Sequence, residues 1–104
     1  MHYVLYATHN PEQCPMSNAT IKQLLLDIAP EMPNIAQQAG VSIAAGPYVN
    51  REHSILTVLD SDSAENVDRF LVDSRLTQWN SVRVIPSLTM EEGLQQLRGQ
   101  ETIF

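Results

Sequence analysis

Apolar residues recur along this chain with two periods, and the alternation between them outlines the fold. Over positions 2–9 the run Tyr3-Val4-Leu5-Tyr6-Ala7 lies between a polar start and the Asn10-Pro11 break, the pattern of a strand. A helix follows. Ser17 or Asn18 supplies the side-chain oxygen that can accept from first-turn amides, and Ile21, Leu24, Leu25 and Ile28 fall at the i, i+3, i+4, i+7 spacing of one buried face. The Leu24-Leu25-Leu26 run is assigned to the core. Pro30 and Pro33 interrupt the helix, positions 34–39 resume it as a short piece, and Gly40 stops it. Val41–Val49 reads as a second strand and positions 54–59 as a third. Their connection, Tyr48-Val49-Asn50-Arg51-Glu52-His53, is short enough for a hairpin, which makes them antiparallel neighbours. Positions 61–63 then offer caps for a second long helix with Val67, Phe70, Leu71 and Ser74 on its inner stripe, and positions 82–88 form a fourth strand. Thr89-Met90-Glu91-Glu92 has the spacing of a capping box, which predicts a short last helix anchored by Leu94 and Leu97. The tail ends in Ile103 and Phe104, which either dock on a neighbouring subunit or fray.

The order β-α-β-β-α-β plus a C-terminal helix predicts an α+β, ferredoxin-like domain spanning residues 1–104. Its four-stranded antiparallel sheet has the order 4-1-3-2, with both long helices on one face. The prolines agree with this order. Proline donates nothing to a ladder and is confined to edges, ends and bulges, and Pro47 and Pro86 fall in strands 2 and 4, the two edges. Strands 1 and 2 run one way and strands 3 and 4 the other, so one end of the sheet gathers residues that are distant in sequence. His9 ends strand 1, Cys14 follows in the loop above it, and His53 opens strand 3. Tyr48 and Asn50 close strand 2, and Trp79 with Asn80 precedes strand 4.

Composition narrows the classes of function. At 104 residues the chain has room for one modest core, so a large cavity would need a second subunit to complete it. Twelve acidic against six basic side chains give a net charge of −6, with Lys22 the only lysine, which argues against a nucleic-acid partner. No apolar run approaches a membrane span, and the single cysteine cannot pair within the chain. The start also lacks the basic residues and long apolar stretch of a secretory signal, so a cytoplasmic location is expected.

Two chemistries fit the convergent residues. His9, Cys14 and His53 offer two imidazoles and a thiolate, a donor set suited to copper, zinc or nickel, to which Glu52 can add an oxygen. The same three residues can instead be catalytic. In that reading a histidine moves a proton on a small aromatic or cyclic substrate, Tyr48 and Trp79 bind its body, Arg51 pairs an anionic group, and Cys14 is a potential nucleophile. Plain structural assignments compete with both: a strand-end hydrogen bond for His9, a small buried apolar residue for Cys14, solvated hairpin residues for His53 and Arg51, and a core anchor for Trp79. A third class has no chemistry and uses the open sheet face for association alone. His-x4-Cys is not a diagnostic metal spacing, and Asp60-Ser61-Asp62 reads as a turn and cap, since it lacks the rest of a calcium loop.

Ala45-Gly46-Pro47-Tyr48, the strand Ile55-Leu56-Thr57-Val58-Leu59, and Asp62-Ser63-Ala64-Glu65 opening a helix resemble the dimeric α/β-barrel superfamily, and within it the YciI-like proteins. Trp79-Asn80-Ser81-Val82-Arg83-Val84-Ile85-Pro86-Ser87-Leu88-Thr89 is similar to other small families of that superfamily. The resemblance implies a homodimer in which two sheets face each other and complete a barrel. It also implies a choice among activities that includes cofactor-independent monooxygenases and lactone isomerases. YciI-like proteins keep their proposed active-site histidine on the first helix. Positions 17–39 contain none here, so His9 and His53 belong to a different site.

Overall fold

A computed structural model describes residues 1–99 of the chain; Ile103 and Phe104, expected to dock or fray, lie outside them. The strands are β1 (His2–Thr8), β2 (Val41–Val49), β3 (Ser54–Ser61) and β4 (Ser81–Ser87). The helices are α1 (Ala19–Ile28), α2 (Met32–Ala39), α3 (Ala64–Asp73), the single turn α4 (Leu76–Trp79) and α5 (Met90–Gly99). The result is an α+β fold whose antiparallel sheet has the order β2-β3-β1-β4, an arrangement compatible with a ferredoxin-like domain. Pro47 and Pro86 do sit on the two edge strands.

Alternation in β1 decides which face of the sheet is dry. Tyr3, Leu5 and Ala7 are buried, and they lie opposite Leu59, Thr57 and Ile55 of β3, which are buried too. With Val67, Phe70 and Leu71 of α3 and Met32, Ala36 and Ala39 of α2, the apolar residues among them form one core cluster. Full burial of a side chain such as Leu5, Leu59 or Phe70 contributes about 1.5–3 kcal/mol. The stripe expected on α3 is the buried one, including Ser74, whose hydroxyl donates to the Leu71 carbonyl. The opposite face carries Val4, Tyr6, Leu56 and Val58, all half-buried.

Local chemistry sets the element ends. Asn18 caps α1 by accepting from the Ile21 amide at 3.0 Å, and Ser63 caps α3 by accepting from Asn66 at 3.2 Å. Gly40 ends α2 in the left-handed region at φ 79°. The capping box forms as its spacing predicts: the Thr89 amide donates to Glu92 Oε1 at 3.0 Å, and the Glu92 amide donates to Thr89 Oγ1 at 3.1 Å. α4 escapes the periodicity because four residues hold too little pattern, yet its Leu76 and Trp79 are both buried.

Two apolar expectations fail. Leu26 is 58% exposed, because each helical step turns about 100° and carries it off the stripe that Leu24 and Leu25 share. Leu94 and Leu97 anchor nothing: Leu97 is 73% exposed, and none of α5 is buried. The helix stands away from the body, which gives the described residues a radius of gyration of 15.9 Å where about 13 Å is usual for this length.

Candidate functional site

β1 stops at Thr8, and one further backbone bond holds the next residue to its neighbour: the His9 amide donates to the His53 carbonyl at 3.0 Å. His53 occupies the left-handed region, at φ 56°, in the turn that reverses β2 into β3. Asn50 builds that turn by accepting from both the Glu52 amide and the Ser54 hydroxyl at 2.9 Å. The two imidazoles meet edge to face with ring centroids 5.6 Å apart.

Cys14 arrives from the connection between β1 and α1. Asn10 caps a single 3-10 turn, Pro11–Gln13, by accepting from the Gln13 amide at 3.1 Å, and the Cys14 amide donates to the Pro11 carbonyl. The Cys14 carbonyl then accepts from the Ser17 and Asn18 amides at 2.9 and 2.8 Å. Bonded on both sides, the loop holds its cysteine inward, 8% exposed, and the thiol is free. One donor atom each from His9, Cys14 and His53 lies within 4.8 Å of the other two. Two donors on one ion, each about 2.0–2.3 Å from it, are at most about 4.5 Å apart and about 3.5 Å apart in a tetrahedron. The 4.8 Å spacing is wider than that, so the three side chains would have to draw together to share one ion.

The tautomer of His9 follows from its neighbour. Asn80 Nδ2 donates to the Leu76 carbonyl at 3.1 Å, which turns Asn80 Oδ1 toward His9 Nδ1 at 2.9 Å. An amide oxygen only accepts, so Nδ1 carries a proton, and in the neutral imidazole Nε2 is the nitrogen with the lone pair. Nε2 is buried and has no hydrogen-bond partner among the described residues. A second partner that fixes ring and tautomer in this way is typical of metal-ligating histidines. The Trp79 ring, buried beneath, lies 5.1 Å from the His9 ring.

His9 and Cys14, but not His53, border a cavity of about 220 Å³ whose other walls include Leu25, Val49, Asn50, Ile55 and Trp79. Leu25 and Ser54 were not expected in a site; nothing but the three-dimensional packing of α1 over the end of β3 puts them there. Trp79 is a wall, as expected. Tyr48 is not. It lies opposite Leu56 on the open side of the sheet and is 62% exposed, whereas Val49 lies opposite Ile55 and lines the cavity. Arg51 and Glu52 are exposed on the turn, and neither joins the donor cluster or the cavity wall. A wider hollow of about 470 Å³, bordered by Leu24, Asp27, Glu31 and Arg75, contains no imidazole or thiol. No helix of the described residues is long and apolar enough to cross a membrane. No family model matches this chain, and no curated protein matches it significantly.

Proposed function

We propose that this chain binds a transition metal, copper, zinc or nickel, through His9, Cys14 and His53 at the end of β1. The observation that carries the reading is the donor set itself: His9, Cys14 and His53 each offer a potential ligand atom within 4.8 Å of the other two, and His9 also has a buried ring nitrogen, Nε2, with no hydrogen-bond partner among the described residues. A strand-end hydrogen bond accounts for one nitrogen of His9 and leaves the other unexplained. The enzyme alternative draws less support, because Tyr48 and Arg51, its intended grips on a substrate, line no part of the cavity.

The setting we propose is a cytoplasmic homodimer of the dimeric α/β-barrel type, related to YciI-like proteins. Supporting it are the strand order and the apolar open face of Val4, Tyr6, Leu56 and Val58, which a second sheet could cover. Metal content of untagged protein tests the reading. The expected result is about one ion per chain in the wild type and loss in His9→Ala and Cys14→Ser. Wild-type protein that purifies without stoichiometric metal and binds none on titration overturns it.

A further inference from the structure

Three protein donors leave one position of a tetrahedral ion unfilled, and in metalloproteins that position is where exogenous molecules bind. Resting on the metal reading above, we infer that the fourth position here opens into the 220 Å³ cavity and takes a small ligand with one soft donor atom and an apolar body, of the short-chain thiol class. The walls carry the inference. His9 and Cys14 of the donor set border the cavity, Pro15, Leu25, Val49, Ile55 and Trp79 supply its apolar walls, and Asn50 and Ser54 are its other polar residues. The Ser54 hydroxyl is already committed to Asn50 Oδ1. A ligand therefore finds mainly apolar contact on its body and one metal bond at its head, while a hydrated anion would find little besides the Asn50 amide to replace its water.

Volume limits the size. A water occupies about 30 Å³ of liquid, so the cavity accommodates on the order of seven non-hydrogen atoms, below the roughly 300 Å³ at which drug-sized sites begin. Met16 also borders this space but is 93% exposed, so its thioether stays largely in solvent and the position is left to an outside donor.

Cobalt(II) is the probe, because its visible bands report both the donors and their geometry. The cobalt-loaded protein is titrated with 1-propanethiol and, separately, with azide, and cobalt retention is measured after gel filtration. The expected result is a saturable spectral change with the thiol, at least tenfold weaker response to azide, and full retention of cobalt. Val49→Trp, a substitution at a largely exposed residue on the cavity wall, is expected to keep the cobalt bands and weaken the thiol response at least tenfold. A cobalt protein whose spectrum ignores the thiol, or an identical response in Val49→Trp, overturns the open position while leaving the metal site standing. A Met16→Leu variant with altered cobalt bands before any thiol is added does the same by assigning the fourth donor to Met16. Absence of cobalt bands in the wild type overturns both readings.

Discussion

Asn80 Oδ1 accepts a hydrogen bond from His9 Nδ1 across 2.9 Å, between residues 71 positions apart in the chain. The bond joins the end of β1 to the start of β4 and leaves the other imidazole nitrogen free to act as a base or a ligand. Asn80→Leu keeps the approximate volume and removes the acceptor. If the proposed site holds a metal, removing such a partner is expected to weaken its binding about 10- to 100-fold. A chelator competition titration measures it, and unchanged affinity would show that Asn80 does not govern the ligand.

Gly46 is the most demanding backbone position. Its φ is 82°, and a β-carbon there would lie 2.5 Å from the Leu56 carbonyl oxygen of the neighbouring strand. Gly46→Ala is expected to destabilise the chain by about 2 kcal/mol or more, because strain and collision add. Urea unfolding gives the number, and a loss under about 0.5 kcal/mol would contradict the geometry.

The capping box of α5 responds to acid. Hydrogen bonds from the Thr89 amide and then its hydroxyl hold the Glu92 carboxyl below the usual carboxylate range. A folded-state value below the unfolded one means that the contribution is present above the unfolded value and is lost as pH falls through the folded one. Helical signal from α5 should therefore decline at the acid end of carboxylate titration in the wild type. In Glu92→Gln, a residue that titrates no proton, this step should be absent; its persistence would assign the step to another acid.

Leu97 tests the surface of the lone subunit against that of an assembly. With its side chain 73% exposed, Leu97→Gln should change stability by no more than about 0.5 kcal/mol if α5 projects into solvent. Sedimentation alongside unfolding separates the cases. A larger loss accompanied by a shift toward monomer would mean that a second copy covers α5.

Much of this fold is legible because burial writes itself as periodicity. The stripe of Val67, Phe70, Leu71 and Ser74, the alternation of Tyr3, Leu5 and Ala7, and the edge positions of Pro47 and Pro86 each express one local rule. The gathering of His9, Cys14 and His53 is legible one step later, once strand directions are assigned. Tyr48 marks where this reasoning stops. An end of a sheet has two sides, and sharing the end with His53 did not place Tyr48 on the side of the cavity. Asn80 marks a second limit, since the direction of an amide depends on the Leu76 carbonyl and on a helical turn too short to announce itself. Leu94 and Leu97 have helical spacing without a surface in their own subunit to receive it.

The hydrogen bond that the His9 amide donates to the His53 carbonyl sits one step beyond the last residue pair of β1 and β3, Thr8 with Ser54. A slip of one residue in that pairing would turn the imidazoles to opposite faces and disperse the donors. An ion held there would thus act as a clasp on strand alignment, joining β1, its following loop and the β2–β3 hairpin in a chain whose lone cysteine can form no internal covalent bridge.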